Sequence, residues 1–279
     1  MTAPARAVRL AVCADDFGLS GGVNDAIVDL AGNGRLSAFS CLVDAPAFRP
    51  GAARLASLAS RTDIGLHLNF TESFGEDAPR FSLPAVIGRA YARLLAPGAI
   101  RAEIRRQLDA FEVACGFAPH HVDGHQHVQQ LPVVREALLT ELDARYPTAR
   151  PWLRIGLPPP ASGLLSLFAP DRLKPLVLGT LGARALARDA AQRGFATNHH
   201  LLGVYDFTGS VGDYAARLGR WLGQAGDGDL LMTHPGRDEQ ASDPIAAARR
   251  REYEVLGGDA FAQALAEYRV AVTRLSQLR

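Results

Sequence analysis

Short apolar runs of strand length alternate with segments whose apolar residues recur at helical spacing, and the alternation continues over most of the chain. That pattern belongs to parallel strands joined by helical crossovers, so the expected fold class is α/β. It predicts a strand over 8–14, a turn carrying Gly18, Gly21 and Gly22, and a helix over 24–31 that stops at Gly32 and Gly34. Further strands are expected at 37–43, 64–69, 121–128, 152–155, 200–205 and 229–233, with 270–272 as a last one. Helices are expected over 52–59, 100–115, 131–142, 214–222 and 259–267. Residues 71–98 are rich in Pro and Gly and too long for an ordinary connection, which marks a substrate loop. The stretch 157–198 is Pro-rich, then rich in Leu and Ala, and no strand can be placed in it; it is expected to be a second substrate-loop insertion. One domain over 1–279 is the expected organisation, since α/β barrels occupy roughly 200 to 250 residues as one unit.

Composition removes several alternatives. With 30 Lys plus Arg against 29 Asp plus Glu, the net charge is +1 and no basic run could track phosphates, so no nucleic-acid partner is expected. Cys13, Cys41 and Cys115 are odd in number, far apart and set in apolar sequence, which fits reduced buried thiols and a cytoplasmic location. The first residues reach Asp15 and Asp16 before a signal-peptide core can develop, and the apolar stretch 164–187 is broken by Asp171, Arg172, Lys174 and Arg184. No transmembrane segment is expected; at most that stretch makes peripheral contact with a membrane or a lipid-linked substrate. Oligomeric state is not legible.

The chemistry concentrates in four places. In His121-Val-Asp-Gly-His-Gln-His127, an extended strand would put His121, Asp123, His125 and His127 on one face. A core face does not tolerate such a row unpaired, so the face is wet or holds a metal; solvated or mutually bonded histidines are the competing reading. Asp15 and Asp16 follow the first strand, where ligands bind in parallel α/β proteins, with Phe17-Gly18 expected to break the strand so that both reach one site. The competing reading there is a helix cap or turn carboxylate. His67 and Asn69 share one face of the third strand, and His234 ends the apolar strand before Pro235-Gly236. A satisfied core histidine is the plain alternative for His67. Four strand ends each presenting Asp or His make a pattern that unrelated residues rarely produce together. One carboxylate plus two histidines is the composition of a catalytic divalent-metal site.

These segments resemble the YdjC-like (ChbG/HpnK) carbohydrate deacetylase family. The matching pieces are Ala14-Asp-Asp-Phe-Gly-Leu-Ser20 with Asn24, Gly65-Leu-His-Leu68, His121-Val-Asp-Gly-His-Gln-His-Val128 and His234-Pro-Gly236, spread from the first strand to about residue 258. The resemblance implies a single-domain irregular (β/α) barrel of the polysaccharide-deacetylase-like type and removal of an N-acetyl group from an N-acetylated sugar. It implies Asp16, His67 and His125 as ligands of one divalent ion, Asp15 as catalytic base and His234 as the later catalytic histidine. This sequence departs from many members in having Gln129 or Gln130 where they carry a further His, and 156–196 has no counterpart to anchor it.

The chemistry is coherent with those roles. A metal polarises a poorly electrophilic amide carbonyl and acidifies water, a carboxylate at Asp15 takes the water's proton, and imidazolium at His234 protonates the amine. His121, Asp123 and His127 are candidates for orienting ligand imidazoles, and Asn69 and Arg154 for contacting the sugar. Zn²⁺ or Mg²⁺ leads for the ion, with Mn²⁺, Co²⁺ or Fe²⁺ also compatible, and imidazole ligands disfavour Mg²⁺. Three other readings compete: a metal-free glycosidase using Asp15 with Asp123 or Glu72, a non-catalytic sugar-binding module, and a metal-dependent phosphoesterase.

Overall fold

Alternation along β1 (Val8–Phe17) sorts its side chains between two environments. Leu10, Val12 and Ala14 join a large apolar cluster with residues of the helices, whereas Ala11 and Cys13 join a smaller one with Trp152, Leu230 and Met232. The sheet thus has a helix-covered face and an inner face, and the next strands obey the same rule. In β2 (Ala38–Cys41) and β3 (Asp63–Leu68), Phe39, Cys41, Ile64, Leu66 and Leu68 pack on the helix side. Ser40, Gly65 and His67 are left on the inner side. The computed structural model describes residues 6–74, 81–160, 179–238 and 242–278.

Between these strands run α1 (Gly21–Gly32), α2 (Phe48–Ala52), α3 (Leu83–Tyr91) and α4 (Pro97–Cys115). There follow β4 (His121–Gly124), α5 (Val134–Arg145), β5 (Trp152–Leu153), α6 (Arg184–Gln192) and β6 (Leu201–Leu202). The chain ends with α7 (Val211–Gln224), β7 (Leu230–Thr233), α8 (Ala246–Gly257), α9 (Asp259–Glu267) and β8 (Val270–Val272). Every described strand pairing is parallel, in the order β5-β4-β3-β2-β1-β7-β6, with β8 also on β1. The two edges of the sheet approach each other through a Leu153–Thr197 bridge and a hydrogen bond from Leu201 N–H to Leu157 O, so the sheet curls into an irregular (β/α) barrel. No helix among the described residues is long and apolar enough to cross a membrane.

Several elements differ from the sequence expectation. The helix expected over 52–59 lies earlier, at Phe48–Ala52. Insertion 71–98 contains α3 and the start of α4, with 75–80 outside the described residues, as is 161–178 of the second insertion. The strand expected over 121–128 stops at Gly124, and His125–Gln130 is a 3₁₀ segment in which Gln126 and His127 take left-handed φ of 54° and 60°. The chain folds back over Gly124, where a Cβ would meet the Gln129 side chain at 2.7 Å, and Gln129 Nε2 donates to Arg154 O. Period-two alternation therefore holds for His121 and Asp123 alone.

Gly65 exists for the inner face. A Cβ there would lie 2.4 Å from the His121 ring, which stacks on Trp152 at 4.2 Å and 12°. Gly65→Ala is expected to push His121 off Trp152 and to destabilise by about 1–3 kcal/mol in urea unfolding, the usual cost of overpacking.

Candidate active site

Adjacent carboxylates on a regular strand diverge, and β1 avoids this at Asp16 itself. The register with β2 shifts between Ala14 and Phe17, and Asp16 takes φ 71°, a left-handed conformation that favours few residues besides glycine. The break therefore falls one residue before the Phe17-Gly18 step where it was expected. The turn that follows is braced: Asn24 Oδ1 accepts from Gly18 N–H at 2.6 Å and Asn24 Nδ2 donates to Ala47 O. Gly18 has φ 105°, and a Cβ would meet Leu42 O and Phe48 at 2.8 Å.

The bulge aims Asp16 Oδ1 at two imidazoles. His67 Nε2 lies 3.4 Å from it and His125 Nδ1 3.2 Å, and donor atoms of all three residues fall within 4.8 Å of one another. His67 Nδ1–H donates to Asp123 Oδ1 at 2.7 Å, which leaves Nε2 as a bare acceptor facing the carboxylate. Asp16 Oδ1 is buried and has no hydrogen-bond partner among the described residues. A buried carboxylate oxygen with imidazole nitrogens 3.2 and 3.4 Å away is a donor set that fits a metal ion. Burial raises the Asp16 pKa, but Arg249, His125 and His67 outweigh it and hold the carboxyl well below its ordinary value. Burial opposes charge on His125, yet Asp16 and Glu72 push it up to about 9, so an arriving ion displaces a proton there.

Asp15 stands beside this trio without belonging to it. Arg154 grips it with both terminal nitrogens, Nη1 to Oδ2 at 2.7 Å and Nη2 to Oδ1 at 2.5 Å, and Ser40 donates to Oδ1. The same Nη2 lies 2.5 Å from Asp123 Oδ2. Burial alone would raise Asp15, but Arg154 and His67 keep its pKa below the ordinary range, so it is an anion at neutral pH. His67 Nε2 lies 4.0 Å from Asp15 Oδ2 and His234 Nε2 3.7 Å from it.

His234 directly follows β7, its backbone N–H donating to Glu252 Oε2 at 2.6 Å and its ring packed edge-on to Phe207. Glu252 also accepts from the Tyr205 and Tyr214 hydroxyls. Burial pushes the Glu252 pKa up to about 7 against those bonds. It pushes His234 down to about 4 despite Asp15 and Asp16, so the ring is neutral at pH 7, which corrects the expectation of a ready imidazolium. These groups open on a cavity of about 830 Å³ whose floor includes Asp15, Asp16, His67, His125, His127 and His234. Leu42, Leu83, Ile87, Leu181 and Phe207 wall it, so the described parts of both long insertions reach it.

The family model for YdjC-like proteins matches residues 9–267. The chain belongs to that family. A carbohydrate deacetylase of Danio rerio is 35% identical over 147 residues, 48% of this chain and 46% of that protein. A chitooligosaccharide deacetylase of Proteus mirabilis (strain HI4320) is 34% identical over 139 residues, 46% of this chain and 54% of that protein. The chain thus spans about half the length of the curated relatives it matches. Among solved structures, a protein of Enterococcus faecalis V583 assigned provisionally to cellobiose-phosphate cleavage superposes with TM-score 0.69 at 19% identity, covering 98% of this chain and 99% of that one. The Bc1960 peptidoglycan N-acetylglucosamine deacetylase gives 0.54 at 12% identity, covering 99% and 89%. At these identities the likeness is one of fold, the irregular barrel of polysaccharide deacetylases.

In this YdjC-like protein the remaining candidates scatter. His121 is fully buried on the inner face, 3.7 Å from Asp123 and away from the cavity. His127 lines the cavity, and burial lowers its pKa to about 3. Arg154 is fully buried behind Asp15, so it braces a carboxylate instead of touching a sugar. Asn69 is spent on the loop after β3, accepting from the backbone of Thr71 and Glu72 and donating to Glu72 O. Arg249 and Glu252 were missed because α8 was not anticipated. Its signal is a helical stripe in which Ala248, Arg249, Glu252, Val255 and Leu256 are the buried positions.

Proposed function

We propose that this chain hydrolyses the N-acetyl group of an N-acetylated sugar, using one divalent metal ion held by Asp16, His67 and His125. The observation that carries the proposal is the convergence of those three on an unpartnered buried carboxylate oxygen, with Asp15 alongside, at the floor of a cavity large enough for a sugar. The names borne by the Danio rerio and Proteus mirabilis relatives support a sugar amide as the substrate class. When bound, the ion polarises the amide carbonyl and brings the pKa of water near neutrality. Two imidazoles and one carboxylate favour Zn²⁺ and its borderline neighbours over Mg²⁺.

The chain's own residues then handle protons. Asp15, kept ionised by Arg154, accepts the proton of the attacking water through Oδ2, the oxygen that faces His234. His234, neutral in the resting site, receives that proton at Nε2 and delivers it to the departing amine. Its low pKa makes it a willing donor once charged. Asp123 locks the His67 tautomer, so Nε2 always presents its lone pair. Hydrolysis by Asp15 paired with Asp123 is the weaker reading, because Asp123 is fully buried between Arg154 and His67.

An acetate-release screen of metal-loaded protein against free and carrier-linked N-acetylated sugars tests the proposal. Release should stop when a chelator strips the ion, return on adding Zn²⁺ or Co²⁺, and vanish together with bound metal in Asp16→Ala. Undiminished acetate from stripped protein, or new reducing ends in place of acetate, would refute it.

A further inference from the structure

Asp16 offers its two oxygens to different partners. Oδ1 faces His67 and His125, while Oδ2 accepts from Arg249 Nη2 at 2.7 Å. Arg249 is itself buried and cannot drift away: its Nε donates to Asp243 Oδ2 at 2.6 Å, and its backbone carbonyl accepts from Gly236 N–H two residues beyond His234. Gly236 lets the backbones close, since a Cβ there would lie 3.1 Å from the Arg249 Cβ. Asp243 belongs to the cavity wall with Pro244 and Ile245. A guanidinium has therefore been built against the carboxylate of the candidate metal centre and fixed from behind. The proton transfers proposed above need no group at that place.

We infer that Arg249 is a positioning residue that limits Asp16 to one oxygen for the metal ion and offsets its charge, so that the centre binds the ion less tightly but keeps it a stronger Lewis acid. The inference rests on Asp16 serving as a ligand, as proposed above. The physical reason is simple. A carboxylate already paired with a cation donates less to a second one, and an oxygen held by a charge-assisted hydrogen bond is withheld from coordination. An ion with fewer and weaker anionic ligands retains more positive charge for water and for the amide carbonyl. A purely structural arginine would do something else: its removal would loosen Asp16 and weaken the metal site.

The two roles predict opposite signs. In Arg249→Gln, zinc affinity measured by competition with a chromophoric chelator should rise about tenfold, the usual scale for groups that support metal ligands. The Co²⁺-loaded variant should show weaker visible absorption than wild type, because a second Asp16 oxygen raises the coordination number. Acetate release should fall by about tenfold or more. Asp243→Asn works in the reverse direction and remains informative if Arg249→Gln fails to fold. It leaves the guanidinium to Asp16 alone, so zinc affinity should drop severalfold below wild type. Unchanged or weaker zinc binding in Arg249→Gln with a wild-type cobalt spectrum, or unchanged or tighter binding in Asp243→Asn, would overturn the inference. Wild-type protein that takes up neither ion would instead refute the metal centre itself.

Discussion

Asp15→Asn is expected to hold its divalent ion and to lose acetate release by about 10²- to 10⁴-fold, the range a positioned general base supplies. The substitution keeps the side chain's shape and leaves Asp16, His67 and His125 untouched, so metal content should match wild type by elemental analysis. What disappears is a proton acceptor. Oδ2 of Asp15 is the oxygen turned toward His234, 3.7 Å away, and an amide there cannot collect a proton from water. One arm of the Arg154 fork is also lost, since both carboxylate oxygens accept from that guanidinium. Stability should fall modestly while the fold and the ion remain. Turnover within tenfold of wild type would remove Asp15 from the chemistry.

The largest effect on stability is expected from Arg154→Met. Arg154 is fully buried and pairs with Asp15 and Asp123 at once, so removing it strands two buried carboxylates. Breaking a buried ion pair from one side costs about 3–5 kcal/mol, and urea unfolding in chelator at pH 7 should show a loss of that size. The pH dependence carries a definite sign. In the native protein burial raises both carboxyls, but Arg154 and His67 outweigh it and hold them below their ordinary value of 3.8. Their contribution to stability is therefore present above about pH 4 and is lost only as pH falls through the depressed native values. In Arg154→Met, burial acts unopposed by the guanidinium and both carboxyls move up, so the variant is penalised for ionising them as pH rises. The gap between the two proteins should be widest near pH 7 and shrink toward pH 4. A gap that stays constant with pH, or one under about 1 kcal/mol, would contradict this account.

Much of this is legible in the sequence. Apolar runs placed β1, β3 and β7, and alternation along β3 put His67 on the face opposite Leu66 and Leu68, because a strand with one face in a helix-packed core must repeat every second residue. The Asp15-Asp16 doublet, His67, His125 and His234 were picked out as strand-end groups, and the structure brings all five around one cavity. The failures share a cause. The strand expected over 121–128 assumed that period two continues, whereas the chain turns at Gly124 to pack Gln129 beneath it. Arg154 was a candidate for contacting the sugar, whereas the structure buries it behind Asp15. Nothing local announces that Asp15 and Asp123 await it from 139 and 31 positions earlier in the chain. Helix α8 buries two charged residues, Arg249 and Glu252, among its apolar ones, so the hydrophobic period of its buried stripe was interrupted and went unread.

Side-chain identity and local periodicity alone determined that this is a parallel α/β protein and that its candidate site, a set of carboxylates and imidazoles, lies at the carboxyl ends of its strands. Tertiary structure decided where each of several identical groups lies and what it touches. Asp15 and Asp16 are neighbours of the same type, yet one lies in the grip of Arg154 and the other is shared between Arg249 and two imidazoles. His121 stacks on Trp152 inside the barrel while His125, four residues on, reaches the cavity. The reason is physical: a residue's charge and reach follow from its burial, its backbone angle and the partners that folding delivers from distant positions. Local sequence encodes none of these until the sheet has closed.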